Sequence, residues 1–222
     1  WYITSGVMKR RSGLGQPENA EGEIQLMAAR EESSIIKCIA IRCHQSKDTF
    51  AHVVPCKGAD EDGYVVNLLV SDISWLGHVR LILKSDQEVS LFALLTQTLK
   101  VMKFQIEGLE SLTTEQSAAY ESQSNGATEV AIKAVRGLMR TLRLCLEARV
   151  GRNVPVSHPL MAWLLEHTAL LLNVTVRGDD GLTSWARVRG RAFNHRLFGF
   201  GESVIAKPPP TGPQHDSAGL PL

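Results

Sequence analysis

The chain has only four cysteines in 222 residues, and their spacing forms no regular framework. That excludes a disulfide-stapled secreted scaffold and points to free thiols in a reducing compartment. No apolar run reaches the roughly 20 residues that a membrane span needs. The longest is broken by His167 and Asn173. The N-terminal stretch WYITSGVMKRRSG lacks an apolar core and is therefore no secretory signal. Trp1 stands where an initiator Met would, and the chain reads as a fragment. Also lacking are an internal repeat, a glycine-rich phosphate loop and a Ser–His–Asp arrangement. Cys38, Cys43, His44, His52 and Cys56 match no standard zinc-finger spacing. Cys38 and His52 fall inside apparent strands, where core or sheet-face roles are expected, and no zinc is expected. His158 and His167 sit on an apolar helix and read as satisfied core or interface residues.

Hydrophobic residues make up 44% of the chain and charged residues 21%. This suits one globular domain of about 150 residues with flanking pieces. Such a domain buries a core without staples. The net charge of +1 hides an asymmetry. Residues 1–121 carry 12 Lys/Arg against 16 Asp/Glu, whereas residues 122–222 carry 12 against 7. A basic half beside an acidic half is compatible with a phosphate backbone meeting clustered carboxylates.

Residues 1–20 are polar, with Gly, Pro and Ser, and read as a tail or linker. EIQLMA (23–28) has the pattern of a short strand, and Ser34–Cys43 and Thr49–Pro55 have the β-branched character of two more. Helical spacing runs through Tyr64–Leu76, with Gly77 as the stop. Val79–Leu83 reads as a strand, Val89–Met102 as a helix, Phe104–Leu109 as a strand and Glu110–Gln123 as a loop. Pro155–Asn173 is apolar on most sides and reads as a largely buried helix. A turn follows at Arg177–Gly181, then a short helix over Leu182–Arg189. The segment around Phe198–Ala206 looks β-like and would begin a small β-rich C-terminal unit. The expected division is a tail at 1–20, a core at 21–175, a basic segment with the start of the β unit at 176–210, and a disordered end at 211–222.

Tyr120–Arg143 reads as a polar loop turning into a long amphipathic helix. Glu129, Lys133, Arg136, Arg140 and Arg143 share one stripe, and Ala131, Ala134, Val135, Leu138, Leu142 and Leu146 share the other. Ser124 or Asn125 is placed to cap it. Taken alone, this is a solvated face with a Glu129–Lys133 pair. Asp86 follows a short apolar strand, a position where α/β sheets place functional groups.

The SDQE run at Ser85–Glu88 and the SQSNGATE run at Ser122–Glu129 together resemble a retroelement integrase core. They are most similar to copia-type retrotransposon integrases, in the variant found in dinoflagellate genomes, as a degenerate copy or fragment. The resemblance continues through Val135–Arg143, Pro155–Leu165 and Gly199–Val204, and spans roughly residues 20–206. It implies an α/β fold with an RNase H-like core, a five-stranded mixed sheet flanked by helices. It implies DNA strand transfer with two Mg2+ or Mn2+ ions held by two Asp and one Glu. Asp86 matches the second acid and Glu129 the third. Counting back from the family's second strand places the first acid at Glu23, where the family has Asp. The extra methylene moves the oxygens of the residue expected to bridge both metals. Positioning chemistry of this kind is sensitive to about 1 Å, so the expected alternative is a catalytically dead nucleic-acid-binding relic. The stripe then becomes a DNA track of Lys133, Arg136, Arg140 and Arg143, continued by Arg187, Arg189, Arg191 and Arg196. The implied partner is DNA in the nucleus, with assembly into homo-oligomers and no membrane contact.

Overall fold

The computed structural model describes residues 2–8, 36–85, 88–105, 109–116 and 122–205. In chain order these form β1 (Tyr2–Met8), β2 (Ile36–Arg42), β3 (Thr49–Val54), α1 (Tyr64–Leu76), β4 (Arg80–Ser85), α2 (Val89–Gln105), β5 (Ser111–Gln116), α3 (Ser122–Val150), α4 (Leu160–Thr175) and α5 (Ser184–Arg189).

The strands lie in the order β3-β2-β1-β4-β5. Two ladders make up this order. β1, β2 and β3 form an antiparallel triple, and β4 and β5 a parallel pair. They join where β1 runs parallel to β4, through Tyr2 opposite Lys84 and Ile3 opposite Ser85. Alternation of side chains along a strand splits the core in two. Ile39 and Ile41 of β2, with Val54 of β3, pack beneath Leu69 and Ile73 of α1 and Leu91 and Leu95 of α2. Ala51 of β3, between those positions, packs on the opposite face with Val135 and Met139 of α3 and Leu164 and Leu165 of α4. The result is helices on both sides of a sheet, the layered arrangement that buries both faces.

Local chemistry sets several boundaries. The Asp60 carboxylate accepts from the backbone N–H groups of Tyr64 and Val65, both at 2.8 Å, and so satisfies donors at the start of α1. Gly77 ends α1 with φ 67°, which a residue without Cβ adopts at little cost. At the far end of α3, Arg143 donates through Nε to Glu147 and through Nη2 to the Val154 carbonyl, at 2.9 and 2.7 Å. The Val154 N–H in turn donates to Glu147 at 2.9 Å. This three-way clasp fixes the turn between α3 and α4.

Several expectations are corrected. Tyr2–Met8 is a strand inside the sheet rather than part of a tail, because β2 and β4 supply the pairing that its own mixed sequence does not advertise. The strand expected at 23–28 lies outside the described residues. α2 extends through Gln105, and the following strand is Ser111–Gln116 rather than Phe104–Leu109. The helix α3 starts at Ser122, so Ser124 and Asn125 lie within its first turns instead of preceding it. Over 198–205 there is no strand. This segment folds back on the body instead, with Phe200 packed against the α3–α4 core and its carbonyl accepting from Arg149 at 2.9 Å. α4 is not buried all round, since Trp163 is 69% exposed. All four cysteines are free thiols.

Candidate nucleic-acid interface and metal centre

α3 presents two unlike faces because its sequence does. Ala131, Val135, Met139 and Leu146 are buried, spaced at the three- and four-residue intervals of one helix face. Glu129, Lys133, Arg136 and Arg140 are exposed on the other. Among the described residues none of these four forms an ion pair, the Glu129–Lys133 pair included. The cations are therefore available to an external partner. Over Glu129–Arg140 the stripe spans about 16 Å, at about 1.5 Å per residue.

Most of the other basic residues of the expected track are employed within the fold. Arg143 belongs to the clasp that closes the α3–α4 turn. Arg187 donates to Asp180 through Nε and Nη2, at 2.9 and 2.6 Å, and to the Ser46 carbonyl at 3.0 Å. Those bonds hold the Asp180 carboxyl down at about 2. Arg189 lies over the Trp75 ring, 4.2 Å from its centroid. Arg196 stacks on Phe198 at 5.1 Å. Arg191 is exposed. A cationic track of Lys133, Arg136 and Arg140, unpaired among the described residues, thus runs along α3, and much of the second cluster serves to hold residues 177–198 in place.

Of the three acids, only Glu129 is among the described residues; Glu23 and Asp86 lie outside them. β4 ends at Ser85, the residue before Asp86. The strand beside it, β1, reads YITSGVM and contains no carboxylate. Its register sets Ile3 opposite Ser85, the last residue of β4, with Thr4 next along β1. Among the described residues no group of three His, Cys, Asp or Glu side chains is arranged to hold a metal ion.

A second polar centre, not foreseen as a unit, sits at the β3 edge. His52 of β3 bonds Asp72 of α1 through Nε2 at 2.8 Å and Glu166 of α4 through Nδ1 at 3.0 Å. Burial pushes the imidazole down, but the two carboxylates more than offset it, so His52 is raised above the ordinary value. Burial also raises the Asp72 carboxyl. Both ring nitrogens are used, so the trio ties the two helical layers together across the sheet edge. Residues 52, 72 and 166 come from three separate elements, each readable beforehand as a strand or a helix, whereas their meeting was not. Nearby, Asn173 of α4 takes the place of a neighbouring strand. Its Oδ1 accepts from the Thr49 N–H at 2.9 Å and its Nδ2 donates to the Thr49 carbonyl at 2.8 Å. Cys38 is half-buried, and burial pushes its thiol up to about 11, which makes it a packing residue rather than a nucleophile.

No helix among the described residues is long and apolar enough to cross a membrane. No protein-family model matches the chain, and no curated protein matches it. Solved structures do. The catalytic core domain of HTLV-2 integrase, in complex with magnesium and in a trimeric form, is similar with a TM-score of 0.52 and 10% identity, over 84% of this chain and 95% of that one. The simian T-cell lymphotropic virus intasome, in complex with the PP2A regulatory subunit B56 gamma, is similar with a TM-score of 0.52 and 13% identity, over 96% of this chain and 60% of that one. The catalytic core domain of BIV integrase aligns at a TM-score of 0.47 and 19% identity, over 70% of this chain and 86% of that one. The fold is the RNase H-like α/β fold of retroviral integrase catalytic cores.

Proposed function

We propose that the chain is a copia-type, integrase-fold domain that binds DNA along α3 and lacks a complete two-metal centre. The sequence of β1 carries this reading. Two divalent cations at one reacting phosphate need carboxylates from separate elements, one of them shared between the ions. β1, the strand beside β4, offers the hydroxyl residues Thr4 and Ser5 and no acid. A neutral hydroxyl is a poor substitute for a bridging carboxylate. Asp86 and Glu129 alone would be two anionic side chains for two dications, a donor set that does not fit the pair. DNA binding rests on Lys133, Arg136 and Arg140, whose unpaired charges follow one helix face and would contact phosphates without reading sequence. The partner on this reading is DNA in the nucleus, bound by an oligomer as the trimeric HTLV-2 core suggests.

A second reading is an active strand-transfer enzyme using Glu23, Asp86 and Glu129. The magnesium in the HTLV-2 complex favours it. It requires Glu23, in the connection 9–35, to replace an acid on β1.

One pair of measurements separates the two. The chain and its Glu23→Gln variant are assayed for Mn2+-dependent strand transfer, and DNA affinity is followed against salt. The expected result is no strand transfer, with a log–log salt slope that falls by about 0.9 for each of the three cations removed. Strand transfer lost in Glu23→Gln would establish the enzyme instead. Absence of salt-sensitive DNA binding would sink both readings.

A further inference from the structure

Next to the His52 trio, on the side of the fold formed by the β3 edge, lies a half-open cavity of about 230 Å³. Its walls include the rings of Phe50, Trp75 and Trp185, the side chain of Leu170, and the polar groups of His52 and Glu166. The rings meet at angles rather than stacking flat. Phe50 and Trp75 are 5.8 Å apart at 80°, and Trp75 and Trp185 are 5.7 Å apart at 52°. The three rings therefore line the cavity at different inclinations.

The polar lining is almost entirely committed. Both nitrogens of His52 are bonded to carboxylates. Both arms of the Asn173 amide, also in the wall, are bonded to Thr49. What remains is Glu166, whose side chain is 48% exposed and which spends Oε1 on His52. Among the described residues its Oε2 has no partner. The cavity thus offers aromatic surface and one free anionic acceptor, and apart from the committed His52 its walls hold no cationic group that would attract an anion. The charge count agrees. Asp72, His52 and Glu166 together carry one negative charge when the imidazole is protonated and two when it is neutral. The aromatic cluster already holds one cation outside the cavity, the Arg189 guanidinium over Trp75.

We propose that this cavity binds a quaternary alkylammonium group, the trimethylammonium end of a small molecule or of a methylated lysine side chain. The choice among cations follows from hydrogen bonding. A primary ammonium has three donors, and this site supplies one acceptor, so entry would leave donors unmet. A quaternary ammonium has none. It is attracted by ring faces and by a nearby carboxylate while its methyl groups fill apolar walls.

The test uses the full chain, with tryptophan fluorescence from the two wall indoles as the readout. The probes are choline and its neutral isostere, the alcohol in which carbon replaces the nitrogen. Choline is expected to bind saturably and at least about tenfold more tightly than the isostere. Glu166→Gln should weaken choline about tenfold and leave the isostere unchanged. Leu170→Arg, at the exposed rim, should abolish binding of choline without lowering the melting temperature. A peptide carrying trimethyllysine, beside the unmodified peptide, distinguishes the two sources by whether it outcompetes choline. Equal binding of choline and the isostere would reduce the site to an apolar hole. No saturable binding of choline, or binding untouched by Glu166→Gln, would overturn the proposal.

Discussion

Asn173 shows how one side chain can stand in for secondary structure. β3 is an edge strand, and its outward backbone groups at Thr49 would be left without partners beneath α4. The Asn173 amide supplies a donor and an acceptor in the geometry of a neighbouring strand. Asn173→Ala is expected to destabilise the fold by about 2–3 kcal/mol, as two buried backbone groups lose their bonds. Urea unfolding measures it, and a loss under half a kcal/mol would show that the amide is dispensable. His52 makes a prediction in pH. Its folded value is raised, so protonation adds stability that is fully present below the unfolded value of about 6.5 and lost as pH rises through the folded value. The stability gap between the native chain and His52→Gln should therefore narrow as pH is raised above about 6.5. Thermal melts in which the gap widens would argue against an imidazolium between Asp72 and Glu166.

At the scale of elements, α3 has two jobs at its two ends. Its first half presents the unpaired cations, and its last turns are fixed by the Arg143–Glu147–Val154 clasp. Arg143 shares the sequence pattern of the stripe but not its environment. Arg143→Ala is expected to cost about 1–3 kcal/mol of stability, from charge-assisted bonds lost to Glu147 and the Val154 carbonyl. It should leave the salt slope of DNA binding unchanged. Arg136→Ala should do the reverse, with stability within about half a kcal/mol of the native chain, as for an exposed side chain without partners. Parallel unfolding and salt titrations check the pair, and identical behaviour of the two variants would dissolve the distinction.

For the whole molecule, the deciding relation is which strand lies beside β4. That strand is β1, and the chain then runs through residues 9–35 before reaching β2. An acid placed by counting back along the sequence from β2 falls in this connection. Counting assumes a short hairpin, and here the partner strand is much farther away in sequence. The backbone register suggests where a first carboxylate would have to be. Thr4→Asp is expected to raise Mn2+ affinity, read as a larger melting-temperature increase with metal than the native chain shows. Equal shifts in both would place the missing ligand elsewhere.

How far the sequence went depends on how local each feature is. α1 was readable over Tyr64–Leu76 because apolar spacing and Gly77 are local signals. β2 and β3 were readable from β-branched runs, and the exposed stripe of α3 from its 3.6-residue period. β1 was not, because Gly6 and three hydroxyl or aromatic-hydroxyl residues leave YITSGVM with no strong pattern. β5 was lost for the same reason in a polar stretch. The C-terminal segment read as strand-forming, yet its aromatics pack on helices rather than on a partner strand, with Phe200 against α3 and α4 and Phe193 5.1 Å from Trp185. By itself, then, the sequence determined the helices, the three strands β2, β3 and β4, and the face on which positive charge collects, since each depends on residues a few positions apart. Only the tertiary structure decided which strand flanks β4, which arginines are already engaged, and that His52, Asp72 and Glu166 meet beside an aromatic cavity. Those relations join residues far apart in the chain, and no period or motif encodes them.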